Sequence, residues 1–244
     1  TFDFVGLSNY IKMFKDEYFQ VSFVNNLIYT GVTVPCTILI ALLLAVALNV
    51  GIKGTGLFRT MFFFPNISSM VAVGIVWSMI FHPTRGPLNL FLYNIGVTNP
   101  PQWLVSSKTA LLSVMIVAVW KQAGYYMVMI LAGLQSIPKQ LYEAAEIDGA
   151  GIMKVFLKII LPTSTPILAT IAIFAAVAQW NSFQDTLIYV TDQKLYSLQY
   201  ILYQYINQAN SLATMVKNSS GGTNLNMAAL ATQQTPTSIR MTVS

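Results

Sequence analysis

The sequence predicts an all-α polytopic membrane protein, and two observations predict it. Of 244 residues, 55% are hydrophobic and 9% charged. A soluble domain carries roughly 25% charged residues, so this chain has too little charge to cover a water-facing surface. The apolar residues also gather into four segments, about 26–48, 60–81, 109–134 and 161–177, none of which contains Asp or Glu. A spanning helix needs about 20 apolar residues, because each rises about 1.5 Å against about 30 Å of hydrocarbon. The chain 1–244 reads as one domain.

The segment Asn26–Leu48 is the first span. Cys36, the one cysteine, lies in its apolar run, which leaves no internal disulfide and indicates no redox role. A short loop, Val50–Arg59, carries Lys53 and Arg59. The second segment, Thr60–Phe81, contains Pro65 followed by Asn66, where a kink would free a carbonyl; simple packing is the favoured reading of Asn66. His82 stands at the helix end that opens the Pro-, Gly- and Asn-rich loop His82–Lys108. It reads as a turn residue, since no second His or Cys cluster exists to hold a metal. The third span, Thr109–Leu134, is interrupted near its middle by Lys121.

Between the third and fourth spans, Gln135–Ile160 is expected to form two short helices. Pro138 suits a first helical turn, and Lys139–Asp148 is a run of good helix formers. Gly149 and Gly151 break that helix. A second basic, apolar helix, Met153–Ile160, leads to Leu161-Pro162 at the membrane face. The fourth span, 161–177, closes on Gln179, Trp180 and Asn181, and the remainder, 181–236, reads as a polar outer loop rich in Gln, Asn, Ser and Thr.

Basic residues set the orientation. The loops 50–59 and 135–160 hold five basic residues in 36 positions, and the opposite set (1–25, 82–108 and 181–244) holds seven in 116. The first set is therefore assigned to the cytoplasm, which places both visible ends outside. A helix before Thr1 is expected, and the chain reads as truncated at both ends. The net charge of +5 is scattered through loops and indicates no nucleic acid.

The spacing Glu-Ala-Ala-x3-Gly-x9-Ile-x-Leu-Pro is met in full by Glu143, Ala144, Ala145, Gly149, Ile159, Leu161 and Pro162. This segment resembles the coupling loop of binding-protein-dependent ABC importer permeases. Leu131-Ala-Gly-Leu-Gln-Ser-Ile-Pro138 is similar to the sugar-transporting branch, of maltose and glycerol-phosphate type. Phe4-Val-Gly-Leu-Ser-Asn-Tyr10, Leu57-Phe-Arg-Thr60 with Phe64-Pro65, and Gly86-Pro-Leu-Asn89 extend the resemblance over nearly the whole chain. Up to Ile147 it is to the longer-type sugar permease. From Leu161 onward, Gln179-Trp-Asn-Ser-Phe183 and Leu195-Tyr-Ser-Leu-Gln199 are closer to the second partner type, as in a recombined subunit.

The resemblance implies a maltose-permease-type transmembrane domain with a six-helix core in the bacterial inner membrane. It implies a second permease subunit, forming a heterodimer, with two ATPase subunits beneath and an extracytoplasmic sugar-binding protein above. The Glu143 helix would sit in a groove of the ATPase, Glu143 against a basic residue, Asp148 adding acidic surface and Gly149 providing the turn. ATP and Mg would belong to that partner, because no Gly-x4-Gly-Lys-Ser/Thr occurs in this chain. Ser219-Ser-Gly-Gly222 superficially matches an ATPase signature but lacks that companion.

Trp120, Lys121, Gln122 and Tyr125, with Gln179 and Asn181, are the candidate substrate-path residues. Amides and hydroxyls can bond sugar hydroxyls, and aromatic faces can stack on sugar rings. An intramembrane lysine lines a cavity or finds a partner; for Lys121, snorkelling or a helix–helix contact is the competing reading. A permease for amino acids or peptides is the alternative within the class. A secondary transporter would need midplane acidic or His ion sites or an inverted repeat, and neither is seen. No constellation for bond chemistry is present, so no enzyme is expected.

Overall fold

A computed structural model describes residues 7–49, 54–138, 140–141, 145, 147 and 151–219. Every regular element among them is helical. A short helix α1, Ser8–Lys15, turns at Asp16 into α2, Glu17–Asn49. Asp16 Oδ1 accepts the Phe19 N–H at 3.1 Å, which satisfies one of the free donors of the new helix.

At 33 residues, α2 is about 50 Å long, well beyond the hydrocarbon thickness. It begins nine residues before the apolar run 26–48. Its buried stripe runs Ser22, Asn26, Tyr29, Thr33, Thr37, Ala41, Ala45 and Leu48, at three- and four-residue steps that define one helix face. The small residues Thr33, Thr37, Ala41 and Ala45 let α6, Ser107–Gln135, lie close along it.

Where the sequence suggests one span over 60–81, the chain forms two helices. The first, α3, Thr55–Ile67, and the second, α4, Met70–Ile80, meet at 97°. Ser68 and Ser69 both take extended conformations (ψ 143° and 131°), which ends one helix and starts another. Pro65, inside α3, already lacks the N–H that would bond a carbonyl four residues back.

The loop after α4 carries α5, Pro87–Asn94, with proline in its first turn. Gly96 (φ +97°) ends it in a left-handed turn, with Val97 N–H bonding Leu92 O at 3.0 Å. Next, α6 is 29 residues long and the most enclosed of the apolar helices.

The chain is described again from Gly151. Helix α7, Ile152–Val155, runs through a π-helical turn, Phe156–Ile160, into α8, Leu161–Trp180. In that turn the Leu161 N–H reaches back to Phe156 O.

The tail read as a polar loop over 181–236 also holds helices: α9, Gln184–Tyr189, and α10, Leu198–Ser219. Hydropathy averaged along α10 is low because Leu202, Tyr203 and Ile206 alternate with Gln and Asn, and such a helix is still a helix.

Two hydrophobic clusters hold these elements. One gathers Leu42, Ala45, Met127, Ile130, Leu131, Ile160 and Ile171. The other gathers Tyr29, Val73, Phe81, Val114, Val117 and Tyr189. Along α6 the clusters are separated by the stretch that contains Lys121 and Gln122.

Candidate functional site

The break between α3 and α4 leaves carbonyls without helical partners, and Lys121 of α6 takes them. Its Nζ donates to Pro65 O at 3.1 Å, Asn66 O at 3.3 Å and Ser68 O at 3.0 Å. Thus it is Lys121 that satisfies the carbonyls freed at the kink, and Asn66 contributes one of those carbonyls. One turn further along α6, Gly124 is buried against the Phe62 carbonyl, which occupies the space a Cβ would need.

Gln122 Nε2 donates to Gln179 Oε1 at 2.9 Å, tying α6 to α8. Gln179 is 1% exposed. Two of the residues expected in a path are thereby in direct contact. Asn181 lies just beyond, at the end of α8. It donates to Val177 O at 2.9 Å and accepts from Gln199 Nε2 at 3.2 Å.

The aromatic members face outward. Trp120, 44% exposed, meets Trp77 of α4 edge-to-face with centroids 5.4 Å apart. The stack continues inward from Trp77 to Phe81 and from Phe81 to Trp103, at 5.0 and 5.3 Å. Tyr125, 42% exposed, packs against Phe63 and Tyr126. Trp180 is half-buried and meets Phe23 of α2 edge-to-face at 5.8 Å.

Beside Gln179 sits a polar cluster that the sequence did not single out. Tyr29 Oη donates to Asp185 Oδ2 at 2.7 Å, and Ser182 Oγ donates to the same oxygen at 3.1 Å. Asn26 Nδ2 reaches Trp180 O at 3.4 Å. Burial pushes the Asp185 carboxyl above its ordinary value, against the pull of those hydrogen bonds and of the Lys121 charge. Burial and the neighbouring Asp185 charge push the Tyr189 hydroxyl up to about 12. The available signal was an acidic residue a few positions past an apolar span, inside a segment otherwise Gln, Asn and Ser.

His82 occupies the turn after α4, where its Nδ1 accepts the backbone N–H groups of Thr84 and Arg85 at 3.3 and 3.2 Å. Among the described residues, no group of three or more His, Cys, Asp or Glu could hold a metal.

Of the Glu-Ala-Ala segment, Glu143, Ala144, Asp148 and Gly149 lie outside the described residues. Ala145 is helical and buried, and Ile147 is exposed. Ile159 and Leu161 are half-buried in and after the π-turn, and Pro162 is exposed in the first turn of α8. The two roots of the segment are anchored in one place: Ile137 before it, and Val155, Phe156 and Leu161 after it, all pack on the cluster around Leu131 and Ile160.

The chain matches, over residues 22–216, the family described as "Binding-protein-dependent transport system inner membrane component". It is 32% identical to the probable ABC transporter permease protein YurN of Bacillus subtilis, over 76% of this chain and 64% of that protein. It is 36% identical to the sn-glycerol-3-phosphate transport system permease protein UgpA of Yersinia pestis, over 68% and 55%. The diacetylchitobiose uptake system permease protein NgcF of Streptomyces coelicolor is 32% identical over 75% and 55%. The chain therefore spans between about half and two thirds of the length of these relatives. Among solved structures, it resembles a chain of a bacterial alginate ABC transporter in complex with an alginate pentasaccharide-bound periplasmic protein. That likeness is one of fold, with a TM-score of 0.76 at 22% identity, covering 84% of this chain and 73% of the other.

Proposed function

The chain belongs to the family of binding-protein-dependent transport system inner membrane components, and from that premise we propose that it is a permease subunit of an ATP-driven carbohydrate importer. The observation that carries the carbohydrate reading is the engagement of Lys121. Its ammonium is taken up by three backbone carbonyls, so the surrounding candidate path is made of neutral groups: the Gln122, Gln179 and Asn181 amides and the Trp120 and Tyr125 rings. Amides suit hydroxyl-rich ligands and aromatic faces suit sugar rings. A permease for amino acids or peptides would need a free charge for the ligand's carboxylate or ammonium, and the engagement of Lys121 speaks against that alternative. The name of NgcF, a diacetylchitobiose uptake permease, supports the same class.

In this reading the subunit pairs with a second permease chain, receives sugar from an extracytoplasmic binding protein and performs no bond chemistry. Two ATPase subunits bind ATP and Mg. The segment from Glu143 to Pro162 docks on one of them, with Glu143 facing a basic residue. The anchoring of both its roots in one hydrophobic cluster supports this: a push on the segment is delivered to α6 and α8 together.

Co-purification tests the assignment. The detergent-solubilised protein is expected to bring down an ATPase. Glu143→Ala and Gly149→Pro are each expected to abolish sugar-coupled ATP hydrolysis without weakening the docking of the binding protein. A complex carrying both changes that still transports normally would overturn the coupling role. For the path, Trp120→Ala is expected to reduce sugar uptake, and unaltered uptake would remove Trp120 from it.

A further inference from the structure

Three observations converge on the junction of α3, α4 and α6. The last carbonyls of α3 are left open by the extended Ser68-Ser69 pair, and they form the negative end of that helix. Lys121 has three N–H donors, and it meets two of those carbonyls, Pro65 O and Asn66 O, together with Ser68 O in the break just beyond them. Gly124, one turn on, admits the Phe62 carbonyl where any side chain would collide. The carbonyl end of α3 is therefore seated on α6 from the side by Gly124 and at its tip by Lys121.

Helix α4 starts two residues beyond that tip. Its direction, at 97° to α3, is set by how the tip is held. Two turns along α4, Trp77 reaches Trp120, the residue immediately before Lys121, with ring centroids 5.4 Å apart and planes at 72°. The cap and the ring pair thus share one turn of α6.

We propose that Lys121 is a positioning residue: its ammonium caps the carbonyl end of α3 and so fixes the departure of α4, holding Trp77 against Trp120 at the sugar path. The functional half of this statement rests on the path reading above, whereas the cap does not. A merely stabilising lysine would lower the melting temperature when removed and leave the ring geometry alone. A positioning lysine would uncouple the rings.

Near-ultraviolet circular dichroism of the complex, purified with its partner subunits in lipid nanodiscs, separates these. The double difference among wild type, Trp77→Phe, Trp120→Phe and the variant with both changes isolates the coupled signal of the Trp77–Trp120 pair from that of Trp77 with Phe81. In a Lys121→Met background the same difference is expected to vanish. In Lys121→Arg, which keeps the charge and several donors, it is expected to persist. A parallel distance measurement uses spin labels at Met79 and Leu112, both exposed, with Cys36→Ser removing the native thiol. The narrow α4–α6 distribution is expected to broaden in Lys121→Met. Should Lys121→Met fail to accumulate in the membrane, Lys121→Gln, with a neutral amide, is read the same way.

An intact ring-pair signal in the neutral variant, or its equal loss in Lys121→Arg, would overturn the cap. Neither readout uses sugar. Unaltered uptake by Trp120→Ala would therefore remove Trp120 from the path, and with it the functional half of the proposal, while a lost ring signal still upheld the cap.

Discussion

Tyr29 donates a 2.7 Å hydrogen bond to the Asp185 carboxylate, joining α2 to α9 across 156 positions of sequence. Both residues are buried, so the bond is made where water competes poorly. Tyr29→Phe removes the shorter of the two hydroxyl bonds to Asp185 Oδ2 and leaves that of Ser182, at 3.1 Å. A hydrogen bond to a charged or strongly polar buried group contributes about 1–3 kcal/mol, and a loss of that size is expected. Thermal unfolding of the purified protein followed by tryptophan fluorescence measures it.

The same pair predicts a pH dependence. The Asp185 carboxyl is raised above its ordinary value, chiefly by burial. A raised value in the folded state means that folding favours the protonated form. Its contribution is complete below the unfolded carboxylate pKa and is lost as pH rises through the folded one. Wild type should therefore gain stability as pH is lowered toward the acid range, and Asp185→Asn should lack that gain. Asp192 works in the opposite sense, held below its usual value by the Ser107 hydroxyl and the Lys194 N–H. Its stabilisation fades as pH falls, so Asp192→Asn serves as the control. Parallel pH profiles for wild type and Asp185→Asn would sink the prediction.

Two glycines should respond oppositely to the same substitution. At Gly124 an alanine Cβ would strike the Phe62 carbonyl, an atom of rigid backbone, so α3 must lift from α6. Overpacking of this kind costs about 1–3 kcal/mol. At Gly31, inside α2, a Cβ meets nothing within 4 Å. There alanine should be neutral or stabilise by up to about 1 kcal/mol through helix propensity. Melting temperatures of the two variants, compared in one detergent, decide the matter.

The legible part of this fold is the part that repeats along the chain. Helices α2, α6 and α8 show in the sequence because a span of apolar residues has few other stable forms in lipid. The break at Ser68-Ser69 does not show, because hydropathy averages across it; Pro65 marks a bend but not its size. Lys121 is legible as a charge in need of a partner. Which partner is not, since the carbonyls that meet it lie more than 50 positions upstream and every residue has a carbonyl. Asp185 escapes for a related reason: its environment comes from Tyr29, on another helix.

Asn89 illustrates how a motif match acquires physical content. It is 1% exposed, donates to Pro83 O at 2.8 Å and Pro101 O at 3.1 Å, and accepts from Trp103 Nε1 at 2.7 Å. Asn89→Ala strands two carbonyls and an indole N–H. Each unsatisfied buried group costs about 1–3 kcal/mol, so several kcal/mol of destabilisation is expected, less what entering water restores. Trp103 emission should shift to longer wavelength. Unchanged emission together with unchanged stability would contradict the network.

Gln122 and Gln179 offer the most direct separation of packing from transport. Their 2.9 Å bond joins α6 to α8 between side chains of unequal burial, Gln179 being enclosed and Gln122 half-buried. Gln122→Leu removes the donor and leaves the Gln179 oxygen unpaired, whereas Gln122→Leu with Gln179→Leu removes both ends. A stranded polar group is costlier than an apolar pair of similar shape. The double variant should therefore be less destabilised than the two single variants summed, with a coupling of about 0.6–1.7 kcal/mol, the range of interhelical hydrogen bonds in membranes. If the amides also face the sugar, uptake by the reconstituted complex should fall in the double variant although its fold is the better satisfied. Uptake would then be lost beyond what the change in stability accounts for. A double variant that recovers stability and uptake together would make the pair a fastening between helices and nothing more.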